Sequence, residues 1–150
     1  MPDTQTLPLV TQSIDVAVPP EQLLAVILDY ARYPEFIPEV KSIRVEQRGD
    51  GRVAVTYQLD AKLFQVDYTL EHVQVSPTKI EWRLLRGELL RSNSGSWTLE
   101  ATETGTRAIY AIALSVSAMP ASFQRALSET GLPRLLANFK ARAESLAQAR

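Results

Sequence analysis

The residue best suited to chemistry in this sequence is its only histidine, His72. It shares the alternation of Phe64, Val66, Tyr68 and Leu70, so the pattern predicts that its side chain points to the apolar side of a strand. An imidazole in that position could move a proton or hold a polar group of a ligand. The alternative is a histidine that is satisfied within the protein or exposed near the end of its strand.

Two further polar residues, Arg91 and Asn93, fall on an inner face when alternation is counted back from Trp97 and Leu99. A buried polar group costs roughly 1–3 kcal/mol unless it is hydrogen-bonded, so each needs a partner from protein, water or ligand. For Arg91 the alternative is a surface arginine that extends past the sheet edge. For Asn93 the alternative is a bulge at Gly95, which would reverse its side.

Aromatic residues also fall on the predicted inner faces, and core packing alone would account for them. Tyrosine and tryptophan carry polar groups that need partners when buried, which favours a cavity instead. In the terminal helix, Ala143 stands between Phe139 and Leu146 on the predicted buried stripe, where a small residue leaves room or permits close packing. The aromatic set is Tyr57, Tyr68, Trp82, Trp97, Tyr110 and Phe139, and the helix stripe is Leu132, Leu135, Leu136, Phe139 and Leu146.

Composition excludes several other classes of chemistry. The chain has no cysteine and one histidine, and no carboxylate cluster stands out, so we expect no metal and no cofactor. No Gly-x-Ser-x-Gly elbow, phosphate-binding glycine loop or dinucleotide fingerprint occurs. Asp29, Glu35 and Glu39 are interpreted as solvated surface. A formal charge of -1 gives no basic surface for nucleic acid.

The chain length and its hydropathy predict one domain spanning residues 1–150. The N-terminal stretch lacks the apolar core of a signal peptide, and no run approaches the roughly 18 apolar residues of a membrane span. We therefore expect a cytoplasmic protein.

The elements that must position these residues begin with a strand and a helix. "LVTQSIDVAV" alternates and predicts a strand, and "PPEQLLAVILDY" predicts a helix, since prolines suit a first helical turn. Pro34 and Pro38 then leave room for about one turn of a second helix between them.

From Val40 to Ser117 the period is two, which predicts six more strands in an antiparallel meander. Asp50-Gly51 is a strong hairpin signal, and strand length requires a turn between Ala61 and Phe64. A short amphipathic segment with Met119, Phe123 and Leu127 and a long terminal helix complete the order β-α-α-β6-α.

This order and three stretches of sequence resemble the START/Bet v 1-like (SRPBCC) superfamily, and within it the polyketide cyclase/dehydrase and coenzyme Q-binding (Coq10-like) families. The stretches are "YPEFIPEV", "GSWTLEATETGTRAIY" and "LPRLLANFKARAE". The resemblance implies an α+β helix-grip fold, in which a curved seven-stranded antiparallel sheet wraps around a long C-terminal helix and encloses an apolar cavity.

A fold of this kind implies binding or transport of a hydrophobic small molecule, such as a lipid, a quinone or a polyketide-like compound. The alternative is a polyketide cyclase/aromatase that catalyses aldol cyclisation and dehydration, in which His72 and Arg91 would be catalytic. Met119, Phe123 and Leu127 would either contact a membrane transiently or cap the core. The expected ligand-binding residues are Tyr33, Phe36, Tyr57, Leu59, Tyr68, Leu70, His72, Trp82, Asn93, Trp97, Tyr110, Leu135 and Phe139.

Overall fold

The computed structural model describes residues 4–61, 64–87, 90–117 and 131–149. Seven strands form one antiparallel sheet in the order β1-β7-β6-β5-β4-β3-β2. The predicted seven strands are therefore confirmed: β2 to β7 form the antiparallel meander, and β1 pairs with β7. The strands are β1 (Thr4–Val16), β2 (Val40–Gly49), β3 (Arg52–Ala61), β4 (Phe64–Ser76), β5 (Lys79–Gly87), β6 (Leu90–Thr102) and β7 (Gly105–Ser117).

The turns between β2 and β3 and between β3 and β4 lie where the sequence predicted them. Asp50 and Gly51 both have positive φ, 55° and 73°, as the two central residues of a type I′ hairpin turn require. Strand β3 ends at Ala61 and β4 begins at Phe64, which confirms the turn that strand length demanded.

Helix α1 (Pro20–Leu28) begins with proline in its first turn and buries Leu23, Val26 and Ile27. The second helix is a 3₁₀ helix, Tyr30–Glu35. It lies earlier than predicted and contains Pro34 rather than starting after it. A short 3₁₀ segment depends on few backbone hydrogen bonds, so it tolerates the missing N–H of proline.

The C-terminal helix (Leu132–Gln148) buries Leu132, Leu136, Phe139 and Ala143. The prediction that Leu146 lies on the buried stripe is wrong, because its side chain is 40% exposed. In the last turn the smaller Ala147 packs against the core instead. At 3.6 residues per turn the stripe passes between positions 146 and 147, so Leu146 is displaced toward solvent.

One end of the sheet is hydrogen-bonded to the C-terminal helix and to the chain that leads into α1, and we call it the closed end; it comprises Val16, Val18 and the β6–β7 turn. Gly105 has a φ of 151°, and a Cβ there would lie 2.2 Å from the carbonyl oxygen of Val16, so only glycine fits. The buried hydroxyl of Thr106 donates to the carbonyl of Val18 at 2.7 Å. Glu144 of the C-terminal helix accepts a hydrogen bond from the backbone N–H of Ala17 at 2.9 Å.

At the opposite end of the sheet, β3, β5 and β7 end and β4 and β6 begin. The predicted amphipathic segment with Met119, Phe123 and Leu127 lies outside the described residues. Across the described ranges, no helix is long and apolar enough to cross a membrane. Nor do those residues bring three histidine, aspartate or glutamate side chains together as metal ligands.

Candidate functional site

Strand register collects the predicted site residues into rows on the inner face of the sheet. In an antiparallel sheet, residues directly opposite each other project to the same side. His72 of β4 lies opposite Trp82 of β5, and Trp82 lies opposite Gly95 of β6. A neighbouring row pairs Tyr57 with Tyr68.

The aromatic rings of this face contact one another in a continuous series. Centroid separations of 4.6 to 5.8 Å link neighbours along the series Tyr30, His72, Trp82, Tyr110, Trp97 and Phe139. Tyr33 contacts Phe139 at 5.3 Å and Phe36 at 5.7 Å, which connects the 3₁₀ helix to the C-terminal helix. Because the rings are in contact, a molecule that enters between the sheet and the C-terminal helix must separate some of them.

His72 is buried as predicted, with 7% of its surface exposed. Its Nε2 and the hydroxyl oxygen of Tyr57 are hydrogen-bonded at 2.8 Å. Its Nδ1 is buried without a hydrogen-bond partner. Burial lowers the pKa of the imidazole to about 3, so His72 is neutral at physiological pH.

Asn93 is also on the inner face, and its carbonyl accepts a hydrogen bond from the indole N–H of Trp82 at 3.0 Å. Gly95 does not reverse the side of Asn93, because the pairing of β6 with β7 is regular from Ser92 to Thr102. A Cβ on Gly95 would lie 2.4 Å from the indole ring of Trp82. The glycine therefore makes space for that indole.

The inner-face position counted for Arg91 is wrong, because Arg91 is exposed, and the alternative of a surface arginine is confirmed. The pairing register with β7 shifts between Leu90 and Ser92, which places the irregularity at this residue. Alternation counted back from Trp97 stops being valid at such a bulge.

The tyrosine hydroxyls of the inner face are neutral. Burial raises the pKa of Tyr57 and Tyr33 well above the ordinary value, and it also raises the pKa of Tyr110 and of Tyr68, whose hydroxyl group is enclosed although the residue as a whole is half-buried. The Tyr33 hydroxyl donates to the backbone carbonyl of Ile27 at 2.5 Å, which holds the 3₁₀ helix against α1.

Exposure of the inner face differs between its two ends. Toward the closed end, Val55, Ile80, Leu99 and Ala108 are at most 3% exposed. Toward the opposite end, Leu59 and Tyr68 of the inner face are only half-buried. Tyr68 stacks on Tyr57, with centroids 5.2 Å apart, so the aromatic series reaches solvent at this end.

Three further predicted residues lie in or against the hydrophobic core. Leu70 is buried in the core cluster, and Phe36 and Leu135 are half-buried against it. Whether these side chains contact a ligand stays a prediction. A cleft of about 180 Å³ lies between α1 and the C-terminal helix, and it is lined in part by Ala25, Phe36 and Leu146.

Tyr30, on the 3₁₀ helix, contacts the inner face of the sheet and was missed by sequence reasoning. It is 4% exposed, and its ring lies 4.6 Å from that of His72. Its position three residues before Tyr33 was the available signal, since both then fall on one side of a tight helix.

Comparison with known proteins gives one matching family and a set of similar structures. A family model described as "Polyketide cyclase / dehydrase and lipid transport" matches residues 16–140. No curated protein sequence matches the chain significantly. The similar structures share the helix-grip fold of the START/Bet v 1 superfamily, which confirms the predicted fold.

Three of these structures belong to proteins with different descriptions. Zhui aromatase/cyclase from Streptomyces sp. R1128 has a TM-score of 0.80 and 17% identity, covering 93% of this chain and 94% of its own. A START superfamily protein from Mycobacterium smegmatis has a TM-score of 0.76 and 16% identity, covering 92% and 98%. A STAR-related lipid transfer protein from Xanthomonas axonopodis has a TM-score of 0.72 and 14% identity, covering 91% and 85%. At these identities the likeness shows the fold alone.

Proposed function

Because the chain belongs to the polyketide cyclase/dehydrase and lipid transport family, we propose that it binds a hydrophobic small molecule between the sheet and the C-terminal helix. The observation that carries this proposal is the aromatic inner face that reaches solvent at one end, where Tyr68 stacks on Tyr57 but stays half-buried. A closed core would cover such rings, because burying an aromatic side chain removes 150–250 Å² of largely apolar surface from water.

The driving force for binding is the removal of apolar surface from water, worth roughly 25 cal/mol per Å². The ligand enters beside Leu59 and Tyr68 and separates rings of the series. Phe36 and Leu135, both half-buried against the core, add to the contact surface, and Phe36 also lines the cleft between α1 and the C-terminal helix. Histidine and tyrosine side chains on this face are neutral, so a ligand without charge fits best.

The ligand is a lipid, a quinone or a polyketide-like molecule. Membership of the Coq10-like family is a narrower prediction, which the family match does not test. Transient membrane contact through Met119, Phe123 and Leu127 remains a proposal that rests on their spacing in the sequence.

A second candidate function is polyketide cyclisation, and the hydrogen-bonded pair Tyr57–His72 favours it. A neutral imidazole beside a phenol could move a proton during aldol condensation and dehydration, but a pKa of about 3 makes His72 a weak base for this role. Arg91 is exposed and does not join this pair, so the enzyme alternative rests on two residues.

Binding of a neutral apolar fluorophore, N-phenyl-1-naphthylamine, tests the first proposal. We expect saturable binding to the wild-type protein and at least a tenfold loss in Tyr68→Glu, which places a charge on the aromatic entrance. Val75→Glu is the matched control, because Val75 is on the same strand but 53% exposed. Unsaturable binding, or equal loss in both variants, would contradict the proposal.

Native mass spectrometry of the freshly purified protein, followed by solvent extraction, identifies any ligand that copurifies. The cyclase alternative requires turnover of a poly-β-ketone by the wild-type protein and its loss in His72→Phe. Binding of the fluorophore without such turnover would favour the carrier function.

A further inference from the structure

His72 Nδ1 is the one buried side-chain polar atom without a hydrogen-bond partner within the part of the chain that the structure describes. Other polar groups nearby are paired: the indole N–H of Trp82 is bonded to Asn93, and the Tyr33 hydroxyl to Ile27. Leaving a buried polar atom unpaired is costly, so such an atom in a native protein requires an explanation.

The hydrogen-bond partners of Tyr57 determine whether Nδ1 carries the proton of the neutral imidazole. The Tyr57 hydroxyl has a single hydrogen, and among the described residues His72 Nε2 is its one partner. If Tyr57 donates to Nε2, the proton of the neutral imidazole is on Nδ1, and Nδ1–H is the single unpaired group. If Nε2 donates instead, both the Tyr57 hydrogen and Nδ1 lack partners. The first arrangement leaves fewer unpaired groups, so Nδ1 is a hydrogen-bond donor.

We propose that this Nδ1–H of His72 donates a hydrogen bond to a neutral carbonyl oxygen of the bound molecule, which makes the ligand a ring-bearing ketone or quinone. This inference rests on the proposed function, because it assumes that a ligand enters the aromatic interior. His72 is then the specificity-determining residue, and Tyr57 is a positioning residue that fixes the tautomer.

The surroundings of His72 favour a carbonyl over an anionic group. The rings in contact with the imidazole belong to Tyr30, Tyr57 and Trp82, which carry no charge at neutral pH. A carboxylate or phosphate at Nδ1 would lose its hydration without gaining a cation. A carbonyl oxygen accepts one N–H at a much smaller desolvation cost.

The ring packing is compatible with this contact. The Tyr30 ring lies 4.6 Å from the imidazole with an interplanar angle of 36°, so it covers a face of the ring. A hydrogen bond to Nδ1–H is made in the imidazole plane. Because Nδ1 is itself buried, a flat, ring-bearing ligand reaches this edge only when neighbouring rings separate, and Tyr30, which covers the ring face, need not be one of them.

Two probes of almost identical shape, 9-fluorenone and fluorene, test the inference because they differ by one carbonyl group. We expect the wild-type protein to bind fluorenone about tenfold more tightly than fluorene, which corresponds to about 1.4 kcal/mol. In His72→Phe we expect fluorene affinity to persist and the preference to disappear. In Tyr57→Phe the tautomer is no longer fixed, so the preference should decrease without disappearing.

The infrared carbonyl stretch of bound fluorenone gives a readout that does not depend on any variant folding. We expect a lower frequency in the wild-type complex than for fluorenone in an apolar solvent. If both probes bind equally and the stretch is unchanged, the inference is overturned and the proposed function stands. If neither probe binds the wild-type protein, the proposed function itself fails.

Discussion

Glu71 and His72 are neighbours on β4 that point to opposite faces of the sheet and are almost equally buried, at 4% and 7% exposure. The carboxylate of Glu71 is surrounded by three arginines: Arg83 Nε lies at 3.1 Å, and Arg48 and Arg52 lie at 3.8 Å. His72 has one hydrogen bond, to Tyr57, and an unpaired Nδ1.

The difference shows that two almost equally buried polar side chains can differ in whether their polar atoms are paired. On the outer face, the buried charge has its counter-charges in place, and the arginines keep 46% to 65% of their side chains exposed to water. The Glu71 cluster is therefore complete without any other molecule. On the inner face the polar requirement is only half met, and the proposed hydrogen bond to a ligand would complete it.

The largest effect that separates the two sites is a pH dependence of stability that belongs to His72. Its pKa is about 3 in the folded protein, against 6.5 in the unfolded chain. Above pH 6.5 the imidazole is neutral in both the folded and the unfolded protein. Below pH 6.5 the unfolded state takes up the proton first, so the free energy of unfolding decreases as the pH is lowered toward about 3. The slope approaches 1.4 kcal/mol per pH unit, which amounts to roughly 2 kcal/mol or more between pH 6 and pH 4.

The measurement is urea unfolding at several pH values for the wild-type protein and His72→Phe. Because His72 is the only histidine, the difference between the two curves isolates its contribution from the carboxylates that both proteins share. Parallel curves between pH 6 and pH 4 would show that the imidazole is protonated as easily when folded as when unfolded.

Removal of the carboxylate from the outer-face cluster should have the next largest effect. We expect Glu71→Leu to lower the free energy of unfolding by about 2 kcal/mol, since hydrogen bonds to charged groups contribute roughly 1.5–3 kcal/mol. The loss stays below that of a fully buried ion pair because the three arginines can be rehydrated. Ligand binding should be unchanged.

Glu81→Leu is the control for the outer face. Glu81 pairs with Lys79 at 3.6 Å, and its side chain is 53% exposed, so we expect a change within about 0.5 kcal/mol. Equal effects of the two substitutions would mean that the Glu71 cluster is no more than an exposed ion pair.

The sequence predicted the inner face better than the outer one. Alternation placed His72, Asn93 and Trp97 correctly, because regular strand pairing preserves parity. It failed at Arg91, where a register shift breaks parity without a glycine or proline to mark it. Glu71 was assigned no role, because its partners come from other strands whose register is set by tertiary structure.

The sequence could not predict which buried polar atoms lack hydrogen-bond partners, for a related reason. That His72 lacks a partner at Nδ1 depends on the distance to Tyr57 and on the ring of Tyr30, which belongs to a helix predicted a few residues too late. Alternation along a strand predicts which face of the sheet a side chain lies on. Which polar atoms remain unpaired depends on packing between elements far apart in the chain.

Within the inner face, Tyr57→Phe should have a smaller effect than loss of the Glu71 carboxylate. The substitution keeps the ring and removes the hydroxyl, which leaves both nitrogens of His72 unpaired. We expect the free energy of unfolding to fall by about 1 kcal/mol, measured by urea unfolding at pH 7. An unchanged stability would mean that water replaces the hydroxyl, and therefore that water reaches this part of the interior.

The smallest effect is expected when both partners are removed together, in Tyr57→Phe/His72→Phe. Replacing both members of a buried hydrogen bond by apolar groups of similar shape is nearly neutral or stabilising. At pH 7 we expect the double variant to be within about 0.5 kcal/mol of the wild-type protein, and more stable than Tyr57→Phe alone. The measurement is a double-mutant cycle from urea unfolding, with both single variants included. A double variant that loses 2 kcal/mol or more would make the Tyr57–His72 pair structural, like the Glu71 cluster. A neutral double variant that has lost the preference for fluorenone would show that the pair contributes to binding and not to folding.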